Sequence, residues 1–306
     1  MVATVEGLKA IHANASRTLA GVHPQDAHPL DVLTDLFENE LYGLGLPTGT
    51  VIGDVGADGT AASSYHNHCK ARSYWVAMAI DVDAKVEDIV AQLLQATNAI
   101  GYWEGEHFVL RPLADQAATG NGLTYTPDLR ALDLSDDDFL LDGDEDPIIV
   151  RRTAWDTISN VVPVEYSSDS KKEDAIGNQY QDAELLTVED MDTANASTFG
   201  VRRATVVSLP CIRSEAHALE VSRILAARSC YNRATYEFRL SPRMGATICP
   251  ADLLSLTHEA MGLVSQLVRV TSTDEDPDGV VTVQAVEWPT DATITVWRLP
   301  RIVDGL

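Results

Sequence analysis

Residues 85–113 read KVEDIVAQLLQATNAIGYWEGEHFVLRPL, and two periods meet inside this stretch. Val86, Ile89, Val90, Leu93 and Leu94 recur at the spacing of one helical face, and Glu87 and Asp88 fall in the first turn, where carboxylates oppose the positive end of the helix dipole. Gly101 is the expected stop. The segment YWEGEHFVLRPL then reads as two short strands around a Glu104-Gly105 turn, a hairpin packed on the helix. A helix that buries one face against a hairpin makes a small α/β unit, so residues 1–113 are assigned to a first domain.

Toward the N-terminus, HPLDVLTDLFENELYGLGLP (residues 28–47) places Leu30, Leu33 and Phe37 on one helical face, with Pro29 at a helix start where its missing N–H costs nothing. Gly43 is the expected end of this helix. The run Tyr42-Gly43-Leu44-Gly45-Leu46-Pro47 is turn chemistry; Thr48 stands where the third glycine of a nucleotide fingerprint would be, and the glycines follow a helix instead of a strand, which excludes that motif. The opening 19 residues have no continuous apolar run of the secretory kind, a short helix is expected there, and no segment has the roughly 18 uninterrupted apolar residues of a membrane span.

Toward the C-terminus, residues 114–147 change to Gly, Asn and Pro and then to a dense acidic run, and are read as a solvated linker. Beyond it the pattern turns to β: IIVRRTAW (148–155), NVVPVEY (160–166), RRATVVSLP (202–210), RATYEFRL (233–240), QLVRVTST (266–273), GVVTVQAVEW (279–288) and ATITVWRL (292–299). Tyr236, Phe238 and Leu240 alternate with Thr235, Glu237 and Arg239, one face buried and one wet. A single long helix interrupts the strands in SEAHALEVSRILAARSCYN (214–232), with Ala218, Val221 and Leu225 at helical spacing and Ser214 as N-cap. The expected fold class is α+β: a small α/β domain over 1–113, an acidic linker over 114–147, and a β-rich domain over 148–306 with its one long helix laid against the sheet.

The 306 residues carry 22 Lys and Arg against 46 Asp and Glu, a formal net charge of −24. With 45% hydrophobic residues the chain can bury real cores, which excludes wholesale disorder. The charge argues against affinity for nucleic acid or anionic lipid, because only a concentrated basic patch would overcome it; the five Lys (Lys9, Lys70, Lys85, Lys171, Lys172) and the scattered Arg form none. Four cysteines (Cys69, Cys211, Cys230, Cys249) without a C-x-x-C pair fit neither a disulfide framework nor a zinc module and are read as reduced and mostly buried.

Three local patterns invite a chemical reading. Tyr65-His66-Asn67-His68-Cys69 gathers two imidazoles and a thiol, but neither the other cysteines nor His107 nor His258 arrive at ligand spacing, so a polar helix start is preferred to a metal site. Asp274, Asp276, Asp278 and Gly279 match the opening of a calcium loop; Ala285 stands where the closing bidentate Glu belongs, and a hairpin turn between two strands explains the same residues. Asp142-Gly143-Asp144-Glu145-Asp146 has Pro147 in place of the loop glycine. No G-x-S-x-G, H-E-x-x-H or Walker loop occurs, many carboxylates exist but nothing selects a glycosidase pair, and no catalytic, metal-binding or cofactor-binding residue is nominated.

Several segments in one order resemble the central part of the tail-tip or baseplate-hub proteins of long-tailed bacteriophages, a family that includes the host-specificity protein of lambda-like phages, and the related phage tail domain of gene transfer agents. They are residues 28–47, with a helix and a Tyr-Gly-x-Gly turn; residues 88–112, with a helix and a hairpin carrying a Trp-x-Gly turn; DPIIVRRTAWDTISNVVPVEYSS (146–168) through NQYQDAELLTVEDMD (178–192) to GVRRATVVSLPCIRSEAHALEVSRILAAR (200–228); and YEFRLSPRMGATICPADLLSLTHEAMGLVSQLVRVTST (236–273), with a strand before a proline-acid turn and another strand. The family's usual Pro-Gly-Asp turn is here Pro250-Ala251-Asp252. Its members carry a long region before the first helix and often a fibre after the last strand, which this chain lacks, so a hub split over two polypeptides is expected from the resemblance.

The resemblance further implies a homotrimer whose tube-like β-barrel domains, here about Pro147 to Trp297, form a ring continuing the tail channel. It would have no enzymatic activity and no cofactor. Its expected partners are a distal tail protein, a second hub protein, the tape-measure protein and a tail fibre. The ring would close the channel and open for DNA ejection, with phage DNA passing unbound along a lumen lined by part of the acidic charge. The implied location is the distal end of the tail in the virion, after assembly in the host cytoplasm. The alternative is a calcium-dependent or carbohydrate-acting soluble adhesion protein, in which the Asp clusters bind ions or sugar.

Overall fold

The computed structural model describes residues 26–77, 85–141, 146–173, 179–288 and 297–299. Two compact units divide the chain, and neither is continuous: the first comprises 1–127 and 160–226, the second 128–159 and 227–306. The expected opening helix and the acidic stretch 142–145 lie outside the described residues.

In the first unit, α1 (Pro29–Glu38) starts where His28 Nδ1 accepts the Leu30 N–H at 3.2 Å, and buries Leu30, Leu33, Leu36 and Phe37. It ends at Glu38, before the expected Gly43, because Asn39 leaves the helical backbone and its carbonyl accepts the Gly43 N–H at 3.0 Å. After strand β1 (Val51–Ile52) comes α2 (Tyr65–Arg72), then α3 (Val86–Ala96), which buries Ile89, Val90 and Leu93. Here too the helix ends ahead of its expected stop. Asn98, at φ 53°, reverses the chain, and Gly101 sits inside β2 (Ala99–Glu104), where an added Cβ would meet the Phe108 ring at 2.4 Å. The hairpin to β3 (His107–Pro112) turns at Gly105, whose φ of 60° suits glycine at the first loop position. β3 is central, antiparallel to β2 and parallel to β1.

The stretch expected to be a linker carries β4 (Ala118–Gly120), β5 (Leu123–Tyr125) and β6 (Arg130–Leu134), with Tyr125 fully buried. Part of the acidic run is structural: the Asp138 carboxylate accepts the Ser135 N–H at 2.7 Å at the head of a short 3-10 turn. After β7 (Ile148–Arg152), the chain returns to the first unit through β8 (Val164–Glu173), β9 (Gln179–Val188), α4 (Thr193–Phe199), β10 (Val207–Ser208) and most of α5 (Glu215–Tyr231). The three strands form a sheet ordered β10-β8-β9. Val164, Tyr166, Leu209, Cys211, Ile212, Ala218 and Val221 complete the same core as α1, α3 and β3. A linear boundary at 114–147 therefore fails because apolar side chains from 160–226 fill the first unit's core, and the long helix buries Ala218 and Val221 there instead of against the β-rich sheet.

The second unit holds β11 (Ala234–Leu240), the short α6 (Pro242–Gly245), β12 (Leu253–His258), β13 (Leu263–Glu275), β14 (Val281–Glu287) and β15 (Trp297–Leu299). With β6 and β7 they make one seven-stranded sheet ordered β15-β6-β12-β13-β14-β11-β7, parallel at β15-β6 and β6-β12 and antiparallel elsewhere. The expected α+β class holds. The sheet is open among the described residues, and an antiparallel bridge from Phe139 to Leu240 ties the segment after β6 to β11. Tyr236, Phe238 and Leu240 face the core as their alternation requires, against Leu254, Leu256, Val268, Val270 and Val283.

At the Pro250-Ala251-Asp252 turn, Ala251 holds φ 75°, the left-handed conformation that favours glycine. The surroundings hold it there: the Ala251 N–H donates to Val270 O at 2.9 Å, the buried Arg269 guanidinium donates to Ala251 O at 3.0 Å and stacks 4.3 Å over Trp288, and Asp252 accepts the Cys249 N–H at 2.7 Å. Ala251→Gly relieves about 1–2 kcal/mol of backbone strain at a smaller entropic cost, so urea denaturation should show a gain of about 0.5–1 kcal/mol; a loss would refute the strain. Leu93→Ala, in the centre of the first core, should cost about 2–5 kcal/mol by the same measurement, and a cost below about 1 kcal/mol would show that Leu93 is not packed as described.

Candidate functional site

The two histidines and the cysteine of residues 66–69 part company in the structure. The Ser64 hydroxyl caps α2 at Asn67 N–H, 3.1 Å away, and the helix turns Tyr65, His68 and Cys69 inward to complete burial while His66 stays half-buried. His68 Nε2–H donates to Thr97 O at 2.9 Å, and His217 Nε2–H, from α5, donates to Ala96 O at 2.7 Å. These carbonyls end α3, where the helix supplies no N–H donors of its own. The Thr97 hydroxyl donates to Leu93 O at 2.8 Å and so accepts from the Tyr65 hydroxyl at 3.0 Å. Tyr74 stacks on His217 with ring centroids 4.3 Å apart and meets His68 edge-on, and Tyr125 meets the other side of His68 at 4.9 Å. Arg72 and Glu220 pair beside them.

This cluster is buried, and its electrostatics follow from that. Burial pushes His68 down to about 3, with help from the Arg72 cation, and pushes His217 down to about 4. Burial raises the Tyr65 and Tyr74 hydroxyls and the Cys69 thiol well above their ordinary range. Both imidazoles are therefore neutral at pH 7, and both phenols and the thiol keep their protons. Its chemical work is to close the end of α3. Among the described residues no group of three or more His, Cys, Asp or Glu is placed to hold a metal ion. All four cysteines are free thiols, three of them buried.

The Asp274-Asp276-Asp278 stretch lies where a hairpin turn was read. Asp274 belongs to the β13–β14 ladder, opposite Thr282. The Asp276 carboxylate accepts the N–H groups of Asp278 at 3.0 Å and Val280 at 2.9 Å and meets Arg239 at 3.3 Å, while Gly279 takes φ 81°. Asp276 thus spends its oxygens on turning the chain, an Asx-type role. No described helix is long and apolar enough to cross a membrane.

What the sequence reading missed lies on the surface of the first unit. Leu41, Tyr42, Leu44 and Trp103 are exposed around one end of α1, and Leu185 and Leu186 are exposed on β9, an edge strand hydrogen-bonded on one side only among the described residues. The run Tyr42-Gly43-Leu44-Gly45-Leu46-Pro47 is the expected turn, and the structure leaves its Tyr42 and Leu44 side chains exposed.

The neutral imidazoles carry a pH signature. Each native imidazole has its pKa depressed below the ordinary 6.5, so its contribution is complete above pH 6.5 and is lost as pH falls toward 4, where the unfolded chain takes up protons that the native state refuses. His217→Gln, which keeps an N–H donor for Ala96 O, should remove about 2 kcal/mol of the stability difference between pH 7 and pH 5, read by urea denaturation at both pH values. An unchanged difference would show that His217 is not buried neutral.

Comparison with known proteins follows the fold. Residues 85–273, more than half of the chain, match the family described as "Putative phage tail protein". In three dimensions the chain is similar to a chain of the virion of a native gene transfer agent particle, with a TM-score of 0.58 and 17% identity over 91% of this chain and 51% of that one. It also matches a 43 kDa tail protein of prophage MuSo2 from Shewanella oneidensis (TM-score 0.40, 15% identity, 68% and 55% covered) and prophage tail protein gp18 from Listeria monocytogenes EGD-e (TM-score 0.36, 12% identity, 69% and 56% covered). The chain spans about half the length of these structures' chains. No curated protein matches it in sequence. With a helix, hairpin and sheets where the resemblance in residues 88–112, 146–168, 200–228 and 236–273 located them, and with the family match running through all four, the chain belongs to this family of phage tail proteins.

Proposed function

We propose that the chain is a structural, non-catalytic component of the hub at the distal end of the tail. In this reading three copies close a ring that continues the tail channel, anchor the tape-measure protein, a fibre and the neighbouring distal tail proteins, and open for DNA ejection. The observation that carries the reading is the set of unsatisfied sheet edges in a member of a tail family. β9 is ten residues long, bonded on one side only among the described residues, and shows Leu185 and Leu186 to water. Among the described residues the seven-stranded sheet likewise ends at β15 and β7. Long exposed edges invite aggregation, and a closed ring of identical copies removes them by pairing edge to neighbour.

The charge fits the same reading. At −24 per copy, a ring with part of this charge on its lumen would let DNA phosphates slide past without adhering. The alternative of an ion-dependent adhesion protein draws no support from the acidic turn, because Asp276 already serves backbone N–H groups and Arg239.

Light scattering coupled to size exclusion should give a mass about three times the 33.2 kDa of one chain, and Leu185→Asp with Leu186→Asp should return it to the monomer with unchanged far-ultraviolet circular dichroism. Gold-labelled antibody should bind at the tail end away from the head. A monomeric wild-type protein would sink the ring, and label along the tail shaft would sink the distal position.

A further inference from the structure

The loop after α1 is constructed to hold apolar side chains in water. Leu44 N–H donates to Leu36 O at 3.0 Å, Leu46 N–H to Phe37 O at 2.9 Å, Gly45 N–H to Asn39 O at 3.2 Å and Leu41 N–H to the Asn39 side chain at 2.9 Å. The Tyr42 hydroxyl donates to the Asp35 carboxylate, and Gly49 N–H donates to Glu38 at 2.7 Å. Two glycines are required by this path: a Cβ on Gly43 would lie 2.3 Å from Leu36 O, and Gly45 has φ 65°. The backbone is therefore satisfied and fixed, yet Leu41 is 86% exposed and Tyr42 and Leu44 are more than 40% exposed.

Trp103, 54% exposed at the tip of the β2–β3 hairpin, rests on Phe37 at 6.0 Å and on Phe108 at 5.4 Å. Loop and hairpin tip are thus anchored on the same turn of α1, Leu36–Phe37. Single exposed apolar residues are ordinary, but a rigid set with an aromatic anchor is the composition of an interface centre. Its rim has one sign: Asp35, Glu38 and Glu40 beside the loop, Glu104 and Glu106 beside Trp103, with His107 bonded to Gly49 O at 3.2 Å and no Lys or Arg between 31 and 49 or between 86 and 110.

We propose that Leu41, Tyr42, Leu44 and Trp103 form the docking site for a different protein of the tail, one whose surface presents an apolar depression rimmed by Lys and Arg. The carboxylate rim decides the occupant. A second copy brings a net charge of −24 against these carboxylates, whichever face it presents, and an anionic lipid surface would be repelled for the same reason. A basic partner gains both steering and register from the rim, and the apolar centre supplies the affinity.

The proposal rests on the tail reading, and the experiment separates the two. Purified particles are first searched for this chain by mass spectrometry, then hydroxyl-radical footprints of the isolated full chain and of the particle are compared, with carbodiimide coupling of carboxylates to neighbouring amines. The four side chains should be reactive in the isolated protein and protected at least ~10-fold in the particle, with Glu38, Glu40, Glu104 or Glu106 coupled to lysines of another tail protein. Leu41→Asp with Trp103→Asp should fold as the wild type by circular dichroism and enter particles ~10-fold less. Equal reactivity in both states, coupling to a second copy of this chain, or normal incorporation of the double variant overturns the docking site while leaving the tail reading intact. Absence of the chain from particles overturns the tail reading and the docking site with it.

Discussion

Two imidazoles close the end of α3, and the first unit is organised around that closure. The carbonyls of Ala96 and Thr97 belong to fully buried residues, and an unpaired buried carbonyl costs on the order of 1–3 kcal/mol. His68 and His217 each supply one N–H. One comes from α2 and the other from α5, 121 residues away from its acceptor in sequence. Because both donors must be neutral to sit there, and because Tyr74 and Tyr125 pack on their rings, the site demands that residues 160–226 fold back onto the first hundred. The interleaved division of the chain follows from this demand. A fold built from two successive domains would leave the Ala96 carbonyl without its His217 donor.

The second unit is organised by register instead. Its strands alternate cleanly, so each inward side chain is fixed once one pair is fixed, and a one-residue slip would turn Tyr236, Phe238 and Leu240 to solvent. Where regular pairing has to bend, the structure invests specific contacts. Arg269 and Asp252 surround Ala251 in a backbone conformation that glycine would adopt freely. Ala251 therefore takes the geometry that glycine would take, held there by its neighbours.

Among the described residues both units end in strands bonded on one side only, and a protein of a phage tail family has other tail proteins as partners. Edge strands suit pairing with copies of the same chain, since identical ladders match their own spacing. The acidic rim of the patch around Trp103 suits a basic partner better than a second chain of net charge −24. In the proposed reading, separate chemistry at separate places would let one chain serve as subunit and as mounting point.

Periodicity alone determined much of this protein. The helices at 29–38, 86–96 and 215–231, the hairpin around Gly105, and the alternating strand at 234–240 are written in spacing, because a helix or strand with one buried face must repeat at its own period. The ordered resemblance named the family from the same segments. Helix ends were less legible: Asn39 and Asn98 turn the chain several residues ahead of Gly43 and Gly101, since the caps depend on carbonyls and N–H groups that sequence does not locate. The roles of His68, Cys69 and Asp276 were open between ligand and scaffold until partners 29 or more residues distant, or backbone N–H groups nearby, appeared beside them. Only tertiary structure decided the interleaving of the units, the burial of the long helix in the first core, and the outward display of Leu41 and Trp103. Each of these depends on which surfaces meet, and a one-dimensional pattern records that a face is apolar without recording what covers it.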